Sequence, residues 1–332
     1  MVENPKFIRL IHMGRIPGWQ TQAVYHTVAE LMTEDMPDTI IISQPSDTYV
    51  CLGYHQKLDH VFDRRVCEEK EIPIIRRKVG GGGTYLDPNQ LFYQCVFHNS
   101  RVPVDSKQVY KQMLTPVVNT LKHFFDVKAE LKGSHEVELN GKRIAGIGGG
   151  QIGEASIVVG NILFDFDFDT MVSVLSVPNE AFRELAKQAM RDHIITLDDI
   201  GSTVTMDTIA NQLIEEYERY FQRKLNPGGM TIDEIERAGE IGAYLRSKAF
   251  LNNVDDANGS SKRKPLKIAR DVSIHYDEKD SDGEKIGASF RVENGKIHSV
   301  KFEDENSEKE LALMGKPFED RKIIMMKLEM AS

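Results

Sequence analysis

The chain has 332 residues and a mass of 37.6 kDa, with 40% hydrophobic and 28% charged residues. This length corresponds to about two domains at roughly 100–200 residues each, and the apolar content excludes an intrinsically disordered chain. The net charge of -9 argues against a general nucleic-acid binder. No apolar run approaches the roughly 20 residues of a membrane-spanning helix, and the first residues lack the apolar stretch of a secretion signal. We therefore expect a cytoplasmic protein.

The first part of the chain is predicted to mix short strands with two helices. Runs of β-branched residues predict strands, and apolar residues at helical spacing predict amphipathic helices. In chain order these are strand 7–12, helix 21–33, strands 39–43 and 48–53, a strand, glycine loop and strand over 72–97, and helix 106–125. Pro116 predicts a kink or break in the last helix, because proline has no N–H to donate.

The second part contains two hairpin signals. Asn140-Gly141 predicts the turn of a hairpin within 135–148, and Asn294-Gly295 predicts the turn of another within 287–303. The other predictions are a strand at 157–168, helices at 207–222 and 306–330, a polar stretch at 253–266, and a helix that starts at the capping box of Thr231 and Glu234. The mixture predicts an α+β (mixed α/β) fold.

The densest candidate for chemistry is Arg76-Arg77-Lys78-Val79-Gly80-Gly81-Gly82-Gly83-Thr84. Glycine lets the backbone approach a ligand closely, and successive N–H groups in such a loop can form an anion-binding nest. Arginine adds a planar fork that fits carboxylate or phosphate. The loop is neither a P-loop nor a dinucleotide fingerprint, because it lacks Gly-Lys-Ser/Thr and leads into a strand. It predicts an anion-binding site.

A second run of glycines, GKRIAGIGGG at 141–150, also follows two cations, Lys142 and Arg143. A ligand that combines a carboxylate with a triphosphate repels itself until its charge is neutralised, so it needs cations from more than one side. An ordinary basic hairpin turn is the alternative interpretation of this run. We predict Lys142 and Arg143 as the candidate catalytic cations.

These two segments, in this order, resemble the lipoate–protein ligase family. The first is similar to the family signature through Arg76, Arg77, Gly80, Gly81, Gly82, Tyr85 and Asp87. The second is similar to the segment that carries the family's catalytic lysine. VCLGYHQ at 50–56 and the stretch from Val159-Gly160-Asn161 to Asp167 resemble two further motifs, so the likeness covers roughly residues 5–225.

The resemblance implies a biotin/lipoate-ligase catalytic domain at 1–225, a linker at 226–230 and a small α+β accessory domain at 231–332. It implies that ATP, accompanied by Mg²⁺, adenylates lipoate or octanoate, and that the acyl group then passes to a lysine. The implied acceptor is a lipoyl-carrier domain or a glycine-cleavage H-like protein. We expect no nucleic-acid or membrane partner, and no metal held by the protein itself.

The residues and the resemblance together predict a set that binds substrate and ATP. Its members are Arg76, Arg77, Val79, Gly80, Gly81, Gly82, Gly83, Thr84, Tyr85, His135, Glu136, Gly146, Gly148, Gly149, Gly160 and Asn161. In this interpretation Arg77 orients the carboxylate or phosphate, the glycine backbone lies along the acyl-adenylate, and Val79 lines an apolar pocket.

The sequence departs from the family pattern at several positions, which predicts a divergent branch. Arg143 stands where the family has its catalytic lysine, and Lys142 is one place earlier. Adjacent residues on a strand point to opposite faces, so one cannot simply replace the other. The signature serine is Val79, the signature histidine is Leu86, and the expected Asn-Asp is His135-Glu136.

Three alternatives stay open. The Arg143 substitution is compatible with a non-catalytic module that binds lipoate or an acyl-adenylate. An octanoyl transferase on the same fold would need a cysteine nucleophile, whereas Cys95 lies in an apolar strand typical of a buried structural cysteine. Residues 144–161 also resemble a biotin–protein ligase segment, although the first loop of those enzymes is absent.

Overall fold

A computed structural model of the protein describes residues 6–125, 128–252, 265–281, 284–303 and 307–323. It has a mixed α+β architecture, which confirms the predicted fold class. The chain forms two compact units. The first comprises Met1–Leu58, Cys67–Phe166 and Ile195–Asp255, and the second comprises Asp59–Val66, Asp167–Ile194 and Asp256–Ser332.

The helices and strands are numbered here in chain order. The strands are β1 Phe7–Ile16, β2 Thr39–Pro45, β3 Tyr49–Leu52, β4 Ile74–Arg76, β5 Thr84–Leu86, β6 Gln90–His98, β7 Ala129–Lys132, β8 Glu136–Leu139, β9 Lys142–Arg143, β10 Ile147–Ile152, β11 Ala155–Leu163, β12 Lys224–Pro227, β13 Leu266–Ala269, β14 Val272–Ser281, β15 Glu284–Glu293 and β16 Lys296–Phe302. The helices are α1 Gly18–Glu30, α2 Leu58–Val61, α3 Arg64–Glu69, α4 Ser106–Phe124, α5 Phe168–Ser173, α6 Glu180–His193, α7 Met206–Phe221, α8 Ile232–Leu245, α9 Lys248–Asn252 and α10 Ser307–Leu313.

A six-stranded mixed sheet organises the first unit, in the order β10-β11-β6-β2-β1-β12. Side chains of β6 alternate between its two faces. Leu91, Tyr93 and Cys95 join the main core cluster with apolar residues of α4 and α7. Gln94 points the other way, and its amide nitrogen donates to the Thr21 carbonyl of α1 at 2.7 Å. The sheet is therefore covered by helices on both faces.

Helix α1 is buried around most of its circumference, so the predicted amphipathic pattern does not describe it. Residues from Thr21 to Ala29 are all buried, because α1 packs against strands of the sheet and against α8. Polar side chains in such a helix must find hydrogen bonds inside the protein. The Gln22 amide and the Thr21 hydroxyl both bond to the Tyr49 hydroxyl, at 2.8 and 2.7 Å.

Several local predictions are confirmed. Asn140 and Gly141 have φ values of 53° and 78° between β8 and β9, and Asn294 and Gly295 have 49° and 76° between β15 and β16. These are left-handed conformations that such a two-residue hairpin turn requires. The Thr231 side chain accepts from the Glu234 N–H at 3.2 Å, and the Glu234 carboxylate accepts from the Thr231 N–H at 2.8 Å. Helix α8 begins at that capping box, as predicted.

Three local predictions are wrong or only partly right. Strand β11 ends at Leu163, which pairs with Gln90, the first residue of β6. The apolar alternation continues to residue 168, but no strand remains for it to pair with. Helix α4 runs through Pro116 without a break, because its buried apolar face offsets the lost hydrogen bond. The predicted single helix 306–330 is wrong over its described part: α10 ends at Leu313, the chain turns at Gly315 with a φ of 75°, and Pro317 forms a β-bridge with Lys296. Residues 306, 324–330 and 253–264 lie outside the described residues.

The segment predicted as a linker, 226–230, begins within the sheet of the first unit. Asn226 and Pro227 belong to β12 and pair with β1. Helix α8, predicted to belong to the accessory domain, packs on α1 in the first unit. A bidentate ion pair between Arg9 and Glu234, at 3.0 and 2.7 Å, ties its first turn to β1. The domain boundaries at 225 and 231 stay a prediction, since packing units and sequence domains need not coincide.

The second unit is built on the antiparallel sheet β13-β14-β15-β16. Phe290, Ile297 and Leu313 are among the apolar residues of its core, and α6 packs on the sheet as well. Among the described residues of the whole chain, no helix combines the length and apolarity needed to cross a membrane.

Candidate ligand site

A small three-stranded sheet, in the order β4-β3-β5, presents the first glycine loop. The loop, residues 77–83, leaves β4 and passes around the end of β3 before it enters β5. The Arg77 N–H donates to the Leu52 carbonyl at 3.0 Å, and the Tyr54 N–H donates to the Val79 carbonyl at 3.1 Å. The end of β3 and the residues that follow it therefore fix the first half of the loop.

The Arg77 guanidinium is folded into the glycine loop. Its Nε and one terminal nitrogen donate to the Gly80 carbonyl at 3.1 and 3.0 Å, and that nitrogen also donates to the Gly82 carbonyl at 2.8 Å. The other terminal nitrogen lies 3.3 Å from the Cys51 carbonyl and 3.6 Å from its Sγ. The side chain is only 5% exposed. Arg77 thus turns two carbonyls of the loop inward.

The backbone N–H groups of the loop, unlike its carbonyls, are mostly not hydrogen-bonded to the described residues. Within the part of the chain that the structure describes, no acceptor lies in hydrogen-bonding geometry to the N–H groups of Gly81, Gly82 or Gly83. Gly81 has a φ of 108°, and a Cβ there would lie 2.5 Å from an Arg77 nitrogen. Consecutive donors without partners beside a buried cation form the kind of nest that binds anions.

The second glycine segment lies directly against the first. β10 is an edge strand of the large sheet, and its Gly149 carbonyl accepts from the Gly80 N–H at 3.2 Å. A Cβ on Gly148 would lie 3.3 Å from the Gly80 carbonyl oxygen, and a Cβ on Gly149 would lie 2.6 Å from the Tyr110 hydroxyl. These glycines are required because the loop and a tyrosine lie so close to the strand.

A pocket opens beside these two segments. Six predicted residues line it, namely Arg77, Thr84, Gly146, Gly148, Gly160 and Asn161. Seven others line it that were not predicted as site residues, namely Gln22, Cys51, Leu86, Phe92, Gln94, Ile147 and Val159. The structure thus places Arg77 and Thr84, which flank the first glycine run, and Gly146 and Gly148 of the second at one cavity. The predicted residues Gly80–Gly83 and Gly149 are not among the residues that line it.

Asn161 joins the two strands that flank the pocket. Its side-chain oxygen accepts from the Gly146 N–H at 2.6 Å, and its amide nitrogen donates to the Gln90 side chain at 2.5 Å. A Cβ on Gly146 would lie 2.9 Å from that oxygen. Asn161 therefore fixes the course of the chain just after the candidate cations of β9.

Three residues of the predicted set point away from the pocket. Arg76 donates to the carbonyls of Tyr54 and Gln56 at 2.9 and 2.8 Å, so it supports a loop. Val79 packs in an apolar cluster with α1. Tyr85 lies between the pocket residues Thr84 and Leu86 on β5 and faces the other side, where its ring meets Phe166 edge-on.

Two pocket residues had a sequence signal that could have revealed them. Gln94 interrupts the apolar run LFYQCVF, and Gln22 lies on the buried helix α1. A polar side chain among apolar neighbours is costly to bury unless it is bonded or used. Sequence periodicity alone could not identify Cys51 as a pocket residue, because it resembles any other apolar residue of strand β3.

The Cys51 thiol is the only cysteine sulfur that the described residues place at the pocket. Burial raises the pKa of the Cys51 thiol, and the nearby Arg77 charge lowers it only in part. Cys95 is buried in the core, where its sulfur lies 3.3 Å from the Tyr217 hydroxyl, and burial raises its pKa to about 12. The prediction that Cys95 is structural agrees with these contacts.

The profile of the lipoyl protein ligase A/B catalytic domain family matches residues 18–218, which is more than half of the chain. The chain belongs to this family. The match includes both glycine segments and the pocket. It confirms the resemblance that the sequence motifs indicated.

Curated relatives of this lipoyl ligase family member include ligases and a transferase. Lipoate-protein ligase A subunit 1 of Thermoplasma acidophilum is 25% identical over 59% of this chain and 77% of that protein. Octanoyltransferase LipM of Kyrpidia tusciae is 23% identical over 71% of this chain and 96% of that protein. Both relatives belong with this chain in one family, but one is named for a ligase reaction and the other for a transferase reaction.

Solved structures show the same fold. The bi-partite lipoate protein ligase of Thermoplasma acidophilum, determined in a study that includes its E2 lipoyl domain, has a TM-score of 0.69 at 21% identity and covers 77% of this chain and 100% of its own. Lipoate-protein ligase A bound with ATP has a TM-score of 0.63 at 20% identity and covers 74% of this chain and 99% of its own. The lipoate-ligase catalytic fold predicted from the sequence is confirmed.

In this family member, the four predicted residues of the β8–β9 hairpin do not line the pocket. Arg143 stands opposite Glu138 in the strand register and so shares a face with Glu136. Burial lowers the pKa of the Arg143 guanidinium, and the Glu136 carboxylate partly restores it. Lys142 stands opposite the buried Leu139. His135 is exposed, with its ring 6.0 Å from that of Tyr110.

The pocket offers no ligand set for a protein-held magnesium ion. Mg²⁺ in nucleotide sites is usually bound through one or two carboxylates together with the phosphates. No Asp or Glu lines the pocket, and the described residues contain no group of three His, Cys, Asp or Glu arranged for a metal. These residues do not fit the ion, so no step below depends on it.

Proposed function

We propose that this protein activates lipoate or octanoate with ATP as an acyl-adenylate, and transfers the acyl group to a lysine of a lipoyl domain. The observation that carries the proposal is that the N–H groups of Gly81–Gly83 have no acceptor among the described residues, while Arg77, which lines the pocket, binds the carbonyls of the same loop. Relatives named lipoate ligases and a ligase fold determined with ATP support the choice of reaction.

Each part of the site has a role in this proposal. The N–H groups of Gly81–Gly83 receive the carboxylate or the α-phosphate, and the Arg77 charge favours the anion behind them. Leu86, Phe92 and Ile147 provide an apolar wall for the acyl chain. Holding the two anionic groups against fixed donors lowers the barrier by orientation and by charge stabilisation.

The catalytic cation is proposed to come from β9, where Lys142 and Arg143 are both candidates. The Glu136 carboxylate already interacts electrostatically with Arg143, and Glu138, which stands opposite Arg143, is ion-paired with Lys132 at 3.1 Å. Lys142 has no such carboxylate opposite it. In the proposal, whichever cation reaches the phosphate offsets charge during adenylation.

The acceptor is proposed to be a lipoyl domain or a glycine-cleavage H-like protein. A related ligase was determined in a study together with its E2 lipoyl domain, which supports the first choice. The acceptor lysine must lose a proton to attack the acyl-adenylate. The acyl–phosphate bond then breaks as the amide bond forms, and AMP leaves.

We expect the purified protein to release pyrophosphate only when ATP and lipoate or octanoate are both present. A lipoyl domain added to the reaction should gain the mass of one acyl group on a lysine, because the acyl-adenylate is an activated donor. Pyrophosphate release and intact-protein mass spectrometry measure the two steps. If the protein binds an acyl-adenylate analogue but performs neither step, the non-catalytic binding module is correct instead.

Octanoyl transfer is the second candidate, and Cys51 at the pocket is the observation that favours it. A transferase would use a thiolate as nucleophile. We expect Cys51→Ala to keep at least about half of the adenylation rate, because its raised thiol pKa leaves little thiolate at neutral pH. The measurement is ATP-dependent pyrophosphate release, with Cys67→Ala as the matched control for loss of a buried thiol. Transfer of an octanoyl group from an octanoyl thioester to a lipoyl domain without ATP, lost in Cys51→Ala alone and accompanied by a covalent acyl adduct on wild-type Cys51, would establish the transferase.

A further inference from the structure

His26 lies on the buried helix α1 with both ring nitrogens engaged. Its side chain is fully buried. Nδ1 lies 2.6 Å from the Gln22 carbonyl oxygen, and Nε2 accepts a hydrogen bond from the Lys78 N–H at 2.9 Å. Because a backbone N–H can only donate, Nε2 must be unprotonated. The proton therefore resides on Nδ1 and is donated to Gln22.

The imidazole stays neutral over the range in which enzymes of this kind work. The pKa of His26 is lowered to about 3, chiefly by burial; the hydrogen bond to the Gln22 carbonyl and the Glu30 charge raise it, and the charges of Lys78 and Arg77 lower it. Protonation of Nε2 would break the bond to Lys78 and leave a charge in the core. His26 is therefore a permanent acceptor and takes no part in proton transfer.

One partner of His26 lines the pocket, and the other is the chain neighbour of a residue that lines it. Gln22 lines the pocket, and Lys78 directly follows Arg77 at the start of the glycine loop. Helix α1 holds Lys78 a second time, since the Lys78 ammonium forms an ion pair with Glu30, one turn beyond His26. Glu30 in turn binds Arg237 of α8 at 2.7 Å. The residue after Arg77 is thus fixed through both its backbone and its side chain.

We propose that His26 is a positioning residue that sets the glycine loop at its working distance from α1. It acts through the Lys78 N–H, which fixes where the chain turns after Arg77. The Arg77 guanidinium then meets the carbonyls of Gly80 and Gly82, whereas the N–H groups of Gly81–Gly83 have no acceptor among the described residues. The effect of His26 on the reaction rate rests on the proposed adenylation activity. Its effect on the position of the glycine loop does not depend on that activity.

The test compares His26→Phe and His26→Gln with the wild-type chain. Phenylalanine keeps a ring of similar size but leaves the Lys78 N–H buried and unpaired. Glutamine can present its amide oxygen near the position of Nε2. Tyr217→Phe is the matched control, since it removes a buried hydrogen bond, from the Tyr217 hydroxyl to the Met113 carbonyl at 3.1 Å, in the main core cluster.

The first readout is amide hydrogen exchange at Lys78 and Gly80, which does not depend on activity. We expect exchange at Lys78 to accelerate about fivefold to tenfold in His26→Phe, as for the loss of one hydrogen bond, and to return toward wild type in His26→Gln. Unchanged exchange at both amides in His26→Phe would overturn the proposal. Because this readout needs no catalysis, an inactive wild-type protein would refute only the proposed function.

The second readout is pyrophosphate release at saturating ATP, analysed as kcat and KM for lipoate. A loop displaced by about 1 Å can cost on the order of 100-fold in rate. We expect kcat/KM to fall 10- to 100-fold in His26→Phe and to recover at least partly in His26→Gln. Tyr217→Phe should lose thermal stability without this kinetic change. Equal kcat/KM losses in His26→Phe and Tyr217→Phe at matched folded fraction would mean that His26 is merely structural.

Discussion

Replacing Arg77 by alanine should reduce adenylate formation by at least about 100-fold. The change removes the guanidinium that binds the Gly80 and Gly82 carbonyls, and bonds to a charged group are each worth about 1.5–3 kcal/mol. The carbonyls would then rotate freely, and the loop amides would lose both their orientation and the cation behind them. Pyrophosphate release with ATP and lipoate measures the effect.

The Arg77→Lys variant tests whether the positive charge of Arg77 is sufficient or whether the planar shape of its guanidinium is also required. Lysine keeps the positive charge, but its ammonium cannot reproduce the planar fork that reaches two carbonyls and Cys51 at once. We expect it to recover part of the lost rate and to remain at least tenfold below wild type. The control is Arg15→Ala, which removes an exposed arginine of the same unit. Wild-type rates in Arg77→Ala would remove this residue from the site.

Replacing Gly53 by alanine should damage the same loop from the other side. A Cβ on Gly53 would lie 2.0 Å from the Gly81 carbonyl oxygen and 3.2 Å from an Arg77 nitrogen. The obstructed atom is backbone, so no side-chain rotation can relieve the clash, and overpacking of this kind costs about 1–3 kcal/mol. We expect a lower midpoint in chemical denaturation and a loss of pyrophosphate release of at least about 30-fold.

Gly239→Ala is the matched control for this substitution. Gly239 lies on the exposed side of α8, and nothing lies within 4 Å of a Cβ built there. Alanine in an exposed helix is favoured over glycine by roughly 0.5–1 kcal/mol, so the control should be slightly more stable and equally active. If Gly53→Ala matches the wild type in both measurements, the close approach of β3 to the loop is not required.

The sequence was most reliable where a short pattern determines the backbone. Asn-Gly pairs at 140–141 and 294–295 predict hairpin turns because few other residues accept those φ values. The capping box at Thr231 predicts the start of α8 from two side chains three residues apart. The strand at 157–168 was predicted too long, because alternation in the sequence cannot show where the partner strand β6 begins.

The candidate site was only partly accessible to the same reasoning. Two glycine runs, each preceded by cations, were enough to predict that they share one ligand site, and the structure places Gly80 against Gly149. The sequence placed both Arg76 and Arg77 in the binding set, although it gave only Arg77 the role of orienting an anion. Neighbouring residues at a strand end point in opposite directions, and only the surrounding carbonyls decide which of them enters the loop.

The sequence by itself determined the family, the glycine loop, and the type of ligand that such a loop can bind. Tertiary structure alone decided how the loop is held, since Gly53 and His26 contact the loop from 24 to 52 positions away along the chain, and Arg77 also reaches Cys51, 26 positions away. Single histidines scattered through a sequence look alike. The difference for His26 is that complete burial gives each ring nitrogen one fixed partner, and burial depends on how distant segments pack.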